Sequence, residues 1–383
     1  MASSSDDRYD LLLTGGRIID PSQSLDTVAD IAFADGAVAA VGPDLPRERA
    51  AEVRSVSGSL VTPGLIDLHT HVYWGGASIG VDPEDYARRC GTTTMIDAGT
   101  AGAGNFAGFR AHVIEPSTPR ILAYLNVSFA GIFAFSDLVM VGECEDFRLL
   151  HPQACLNVAR LHADMLVGIK VRVGLRASGS SGYAPLDIAL DVAEEAELPV
   201  MCHLDWPPPS RRDVVSRLRP GDVLTHCFRP FPSAPIRFDG AVRDEILEAR
   251  ERGVLFDIGH GMGSFGFTTA ERMLENGFLP DAISSDVHSL SIRGPAYDQL
   301  VTLSKFLHLG MDLSDIIAAS TTGPARAVRH PELGTLAPGS IADATVLEIR
   351  EEPVTFTDSL GETRTGEKQF GLVGTVIAGN WWS

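Results

Sequence analysis

The sequence predicts an α/β protein, a (β/α)8 TIM barrel with a small β-domain formed from both chain termini. Two observations predict it. Eight short β-rich runs alternate with helical stretches between residues 60 and 288, which is the strand count and alternation of that barrel. The flanks on either side read as short strands punctuated by turns, and neither flank alone has enough strands for a stable sheet.

In chain order, residues 1–62 form the first flank, with strand-like stretches such as DLLLTGGRIID and DIAFADGAVAAVG. Residues 63–330 are assigned to the barrel, a length close to the ~250 residues typical of that fold. The β-rich runs are Leu60–His71, Thr92–Thr100, Arg120–Ser128, Leu166–Val173, Pro199–Leu204, Asp222–Phe228, Leu255–Gly261 and Ala282–His288. Between them, Pro185–Glu197 and Gly240–Arg252 place apolar residues at three- and four-residue spacing, which predicts helices. Residues 331–383, with ADATVLEI and FGLVGTVIAGN, return to strand-like text. Pairing of the two flanks into one sheet is expected.

The formal net charge of -19 repels phosphate backbones and anionic lipid headgroups over most of the surface, so neither nucleic acid nor membrane is an expected partner. The N-terminus carries acidic residues and no apolar run, and no later segment has the length of a membrane span, so a cytoplasmic protein is expected. Five cysteines, without a CxxC pair, suggest neither a disulfide framework nor a thiolate zinc site. A small-molecule substrate is the expected partner, and a homo-oligomer is compatible with the sequence.

The strongest local signal is His69-Thr70-His71, closing the apolar run TPGLIDLHTH. Side chains two apart on a strand point the same way, so both imidazoles would face the barrel axis at its C-terminal mouth and could grip one metal. In isolation the pair is equally readable as two loop histidines. Further candidates stand at or near the ends of the later runs: Lys170 in LVGIKVRV, His203 in PVMCHL, His226 in DVLTHCF and Asp286 in AISSDVH. One such histidine is ordinarily a satisfied rim residue, but four of them and an aspartate on successive strands point to a metal centre. Nitrogen and oxygen ligands suit zinc, and also manganese or iron. Alternation turns Cys202 and Cys227 outward, away from any metal.

Lys170 sits in an apolar strand, where an ammonium is costly unless neutralised or paired. One reading is a carbamate, formed by the neutral amine and carbon dioxide and able to bridge two cations. The other is a salt bridge to Asp97 or Asp205.

With TPGLIDLHTH, the strand-four lysine, the strand-five and strand-six histidines, the strand-eight aspartate and the tail TTGPARAVRHPELGTLAPGSIADATVLEI, the chain resembles the amidohydrolase superfamily over nearly its whole length. IKVR, FDIGHG and SSDVHS look most like a dihydroorotase-related group of metal-dependent deacetylases. The resemblance implies two divalent metal ions: His69, His71 and Asp286 on the buried one, His203 and His226 on the other, and a carboxylated Lys170 shared. Dihydroorotases follow the HxH pair with a basic residue, whereas Val72, Tyr73 and Trp74 follow here, which disfavours that activity. Deaminases of the superfamily generally lack the bridging lysine, so Lys170 argues against them.

The mechanism expected of such a centre is attack on a carbonyl carbon by a hydroxide bridging the two ions, with Asp286 taking the proton and passing it to the leaving nitrogen or oxygen. The expected reaction is amide or ester hydrolysis, with deacetylation favoured. Cyclic-amidase activity of the hydantoinase, allantoinase or dihydroorotase kind and a non-catalytic scaffold are the alternatives.

For the substrate, Arg172 faces the same way as Lys170, and Arg176 follows in the next loop. They could clamp a carboxylate, or Arg172 could pair with an acidic neighbour. The substrate so implied is an N-acetyl amino acid or an acetylated hydroxy acid. Tyr73 and Trp74 could form an aromatic wall or close the rim. His260 could touch substrate or pair with a backbone carbonyl, and His288 is a further candidate contact. Gly99–Phe109 misses the dinucleotide spacing and is read as a flexible rim loop, and Gly259–Phe267 as another.

Overall fold

The computed structural model describes residues 8–382. Its strands are β1 Tyr9–Asp20, β2 Leu25–Ala34, β3 Ala37–Gly42, β4 Ala50–Ser55, β5 Leu60–Pro63, β6 Leu65–Thr70, β7 Thr92–Gly102, β8 Arg120–Asn126, β9 Leu166–Val173, β10 Val200–Leu204, β11 Val223–Leu224, β12 Leu255–Phe256, β13 Ala344–Thr357, β14 Thr363–Ile377 and β15 Asn380–Trp381. They make two sheets. β6 to β12 form a seven-stranded sheet in sequential order, parallel throughout. Its strands are connected by crossovers that include the helices Pro83–Cys90, Pro152–Leu161, Ala184–Glu195 and Asp244–Glu251, so the fold is α/β with a curled parallel sheet.

The curl brings the two edges of the sheet to a common segment, residues 282–288. Asp257 bridges Ala282 on one side and Thr70 bridges Val287 on the other, both in parallel sense. Asp286 N donates to His69 O at 2.8 Å and His71 N to Val287 O at 3.0 Å. This differs from the eighth strand expected over Ala282–His288. Only isolated bridges form there, because Asp286 turns into the left-handed region at φ 48 and no regular ladder survives that twist. The sixth and seventh runs are likewise shortened to two residues each, with His226 at φ 62 just beyond β11.

The first run, expected as one strand from Leu60 to His71, is two. β5 belongs to the other sheet, where it lies between β1 and β13, and β6 opens the parallel one. That second sheet has eight strands, in the order β15-β14-β13-β5-β1-β2-β3 with β4 also on β1, and therefore draws on both flanks.

Alternation sorts the apolar residues. Ile66, Leu68, Ile96, Met201 and Val223 cluster inside the curl, while Val171, Val200, Cys202 and Cys227 pack outward with helix residues such as Leu186, Ala189 and Ile246. All five cysteines are free and buried. Among the described residues, no helix is long and apolar enough to cross a membrane.

The glycine-rich segment after β7 is not the loop expected. The strand runs on to Gly102 and a helical turn covers Phe106–Phe109. Asn105 holds it, its Oδ1 accepting from Gly102 N at 2.9 Å and its Nδ2 donating to Ala130 O at 3.0 Å.

Candidate metal centre and substrate cavity

The end of β6 and the segment 282–288 meet at the floor of a cavity lined by His69, His71, Lys170, His203, His226 and Asp286, all of the expected ligands. Asp286 Oδ1 stands 3.4 Å from His69 Nε2 and 3.3 Å from His71 Nε2. One ligand atom from each of these residues lies within 4.8 Å of the others. Asp67, two residues before His69, sets this spacing. Its Oδ1 accepts from Ser285 N at 3.0 Å and its Oδ2 from Ser285 Oγ at 2.6 Å and Tyr86 OH at 2.6 Å. The residue beside Asp286 is thus tied to the strand that carries the histidines.

The His226 ring is 5.0 Å from that of His69 and 4.5 Å from that of His203. His226 Nδ1 donates to Gly259 O at 2.7 Å, which leaves Nε2 bare. His203 Nε2 is buried without a hydrogen-bond partner among the described residues. A buried polar nitrogen left in this way is costly unless something occupies its lone pair. The donor set therefore fits a divalent metal. Lys170 Nζ, fully buried, is 3.4 Å from His69 Nε2. Neither Asp97 nor Asp205 pairs with it: Asp97 accepts from Val72 N and Thr100, and Asp205 accepts from Arg176 N.

Burial holds His69, His203 and His226 well below the usual histidine range and His71 down to about 3. They are neutral imidazoles, the form that binds metals. Burial also lowers Lys170 to about 8, against the pull of Asp286, and raises Asp286 to about 6, against His288 and Lys170.

Above this floor lies a second, wider cavity that shares His203, Asp286, His288 and Arg172 with it. Arg176 and Trp206 stand at its rim with the guanidinium 5.4 Å over the indole. Arg172 pairs with buried Glu143 at 3.3 Å and lies 5.1 Å over Phe135. His288 takes Leu290 N on Nδ1 at 3.2 Å and faces the cavity. The sequence did not point to Arg229, which lines the same cavity. Its Nη2 donates to Ser264 Oγ at 2.6 Å, and its buried Nε has no partner among the described residues. Burial lowers it to about 10, against Asp205 and Asp286.

Three expected contacts fall outside both cavities. Trp74 is 58% exposed, and Tyr73 packs on Phe109 with ring centroids 4.7 Å apart, because the strand ends at Thr70 and the alternation does not extend to them. The aromatic wall is Phe135 and Trp206 instead. His260 points away from the cluster of His69, His71 and Asp286. Its Nδ1 meets Gly261 O at 2.9 Å, its Nε2 meets Lys305 Nζ at 2.6 Å, and its ring stacks on Phe265. Lys305, also fully buried, donates further to Pro295 O and Thr357 O at 2.9 and 2.7 Å.

The profile of the Amidohydrolase family matches residues 261–382. A deacetylase of Brucella anthropi is 34% identical over 344 residues, which is 89% of this chain and 85% of that protein. Among solved structures, one described as an adenine deaminase superposes with a TM-score of 0.91 at 31% identity, covering 98% of this chain and 100% of the other. Another, described as a dihydroorotase, gives 0.88 at 32%, covering 97% and 98%. Their stated activities differ, so the likeness identifies the family and leaves the reaction to the site. With its histidine and aspartate cluster at the strand ends and its likeness to these proteins along nearly its whole length, the chain belongs to the amidohydrolase superfamily as a deacetylase-like hydrolase.

Proposed function

We propose that this enzyme is a binuclear metal-dependent hydrolase that removes an acyl group, acetyl by preference, from a small substrate bearing a carboxylate. The observation that carries the reading is one floor lined by His69, His71, Lys170, His203, His226 and Asp286 and opening into a cavity with three guanidiniums, those of Arg172, Arg176 and Arg229. On this reading the parallel sheet is a (β/α)8 barrel, the two-flank sheet is its small β-domain, and the five free cysteines suit a cytoplasmic location.

His69, His71 and Asp286 would hold one ion and His203 and His226 the other. Zinc, manganese or iron there would supply Lewis-acid polarisation of the scissile carbonyl and acidify water. Neutral Lys170 would add through Nζ to carbon dioxide, an N–C bond replacing one C–O π bond with release of a proton, and the carbamate oxygens would complete the donor set. Asp286 divides its work. Oδ1 lies between the two histidines, and Oδ2 carries the proton to the departing nitrogen or oxygen, a task suited to a carboxylate whose affinity for protons burial has raised. The guanidiniums orient the carboxylate, and Phe135 and Trp206 exclude water from the apolar part of the substrate.

The structure described as a dihydroorotase favours cyclic-amide hydrolysis as the second reading. Metal analysis of the purified protein, with hydrolysis of N-acetyl, O-acetyl and cyclic-amide panels, separates the two. About two metal equivalents and turnover of acetylated acids are expected, and turnover of cyclic amides alone would replace the first reading by the second.

A further inference from the structure

His69 and His71 are each backed by the same three-residue chain. His71 Nδ1 lies 2.8 Å from Thr100 Oγ1, which donates to Asp97 Oδ2 at 2.7 Å. His69 Nδ1 lies 2.8 Å from Thr225 Oγ1, which donates to Asp257 Oδ2 at 2.7 Å. Asp257 Oδ2 itself stands 3.5 Å from His69 Nδ1, behind the hydroxyl. All six residues are buried. The acids are held from behind as acceptors: Asp97 Oδ1 by Thr100 N at 2.7 Å and Asp257 Oδ1 by Ser284 Oγ at 2.6 Å.

With each carboxylate ionised, the form that the hydrogen bonds it accepts favour, the proton count in each chain allows one arrangement. An ionised carboxylate only accepts, so the single hydroxyl proton of the threonine goes to it. The threonine oxygen then has only lone pairs to offer the imidazole, which must place its proton on Nδ1. Nε2 is left bare on the side of Asp286.

We propose that Thr100 and Thr225 are positioning residues that lock His71 and His69 in the Nδ1–H tautomer and thereby set how tightly the His69, His71 and Asp286 site retains a cation. The retention part rests on the metal-dependent reading above, and the tautomer part does not. Thr100 and Asp97 lie on β7, the neighbour of β6, whereas Thr225 and Asp257 follow β11 and β12 at the far edge, so the His69 relay depends on the curl of the sheet.

The test uses Thr100→Val and Thr225→Val, which keep the side-chain shape and remove the hydroxyl, with Thr100→Ser and Thr225→Ser as restorations. Nitrogen-15 histidine spectra of the metal-free protein read the tautomer, and competition with a chelator reads affinity for zinc ion alone. Each valine variant should lose the Nδ1–H signature of its own histidine and weaken zinc binding ~10–100-fold, a range typical of lost outer hydrogen bonds to metal ligands, while the serine variants stay near wild type. Valine variants that keep both the tautomer and wild-type zinc affinity overturn the proposal. Wild type that shows the tautomers but binds no zinc overturns the metal-dependent reading and the retention part, and leaves the relay intact.

Discussion

Asp286 answers to two tasks with two oxygens, and substitution can separate them. Asp286→Asn keeps an oxygen for the ligand position but cannot carry a proton, so the variant should fold, retain most metal and lose turnover by ~10²–10⁴-fold. Turnover near wild type with full metal would reduce Asp286 to a ligand. Lys170→Ala should hold less metal and lose activity, and a short carboxylic acid in the buffer should restore part of it by replacing the carbamate oxygens. A free amine at Lys170 in fully active protein, seen by mass or in a crystal, would end the carbamate reading. For the substrate, kcat/KM for an acylated acid against its methyl ester is the measure. Arg229→Met should cut the preference for the free acid by ~10–100-fold, the worth of a charge-assisted hydrogen bond, and by more than Arg172→Met, because Glu143 already occupies part of the Arg172 fork. Equal discrimination in wild type and Arg229→Met would exclude Arg229 as the anchor. That the six expected ligand residues would face one cavity was legible in the sequence because most stand on or beside strands, where two-residue alternation tells direction. Arg229 was not, because it follows His226, whose left-handed backbone breaks that alternation.

At the level of elements, the legible part was the order of strands and helices, and the illegible part was where regular pairing stops. Strands β6 to β10 lie where apolar alternation placed them. β11 and β12 are short and the 282–288 segment is no strand because the backbone turns left-handed at His226, Gly259 and Asp286, and a window of sequence carries no sign of that constraint. The split between β5 and β6 was hidden for another reason, since strand-forming residues flank Pro63-Gly64 on both sides while the two halves serve different sheets. Close backbone approach at the floor leads to an element-scale prediction. Gly99 sits at φ 78, and a Cβ there would come within 2.5 Å of Lys170 Cβ, which has no flexible end to give way. Gly99→Ala should lower stability by at least ~1–2 kcal/mol from the backbone conformation alone and release metal by displacing Lys170. Thermal unfolding and metal content together check it, and unchanged metal content would show that β9 absorbs the shift elsewhere.

Across the whole molecule, the net charge of -19 surrounds a cavity whose own guanidiniums are positive, so an anionic substrate meets attraction only near the mouth. A second long-range link runs through Lys305, whose three acceptors come from three separate segments. Burial lowers its pKa from 10.5 to about 7, against Asp358 and Asp298. The unfolded chain therefore binds this proton more tightly than the folded protein does. The contribution of Lys305 to stability is present above 10.5 and is lost as pH falls through about 7. The Tm of wild type relative to Lys305→Met should accordingly rise between about pH 6 and about pH 9, and a difference that does not change with pH would refute the assignment. The two-flank sheet has a consequence for biosynthesis. β5 lies between β1 and β13, and Leu11, Ile18 and Val61 are covered in part by Leu336, Ala344, Val346 and Val376. While the ribosome is still adding the parallel sheet, the first strands wait with an open edge and an uncovered apolar face, a state prone to pairing with other chains. Only when β13 emerges is that edge closed, so a stretch translated after the parallel sheet completes a sheet begun before it.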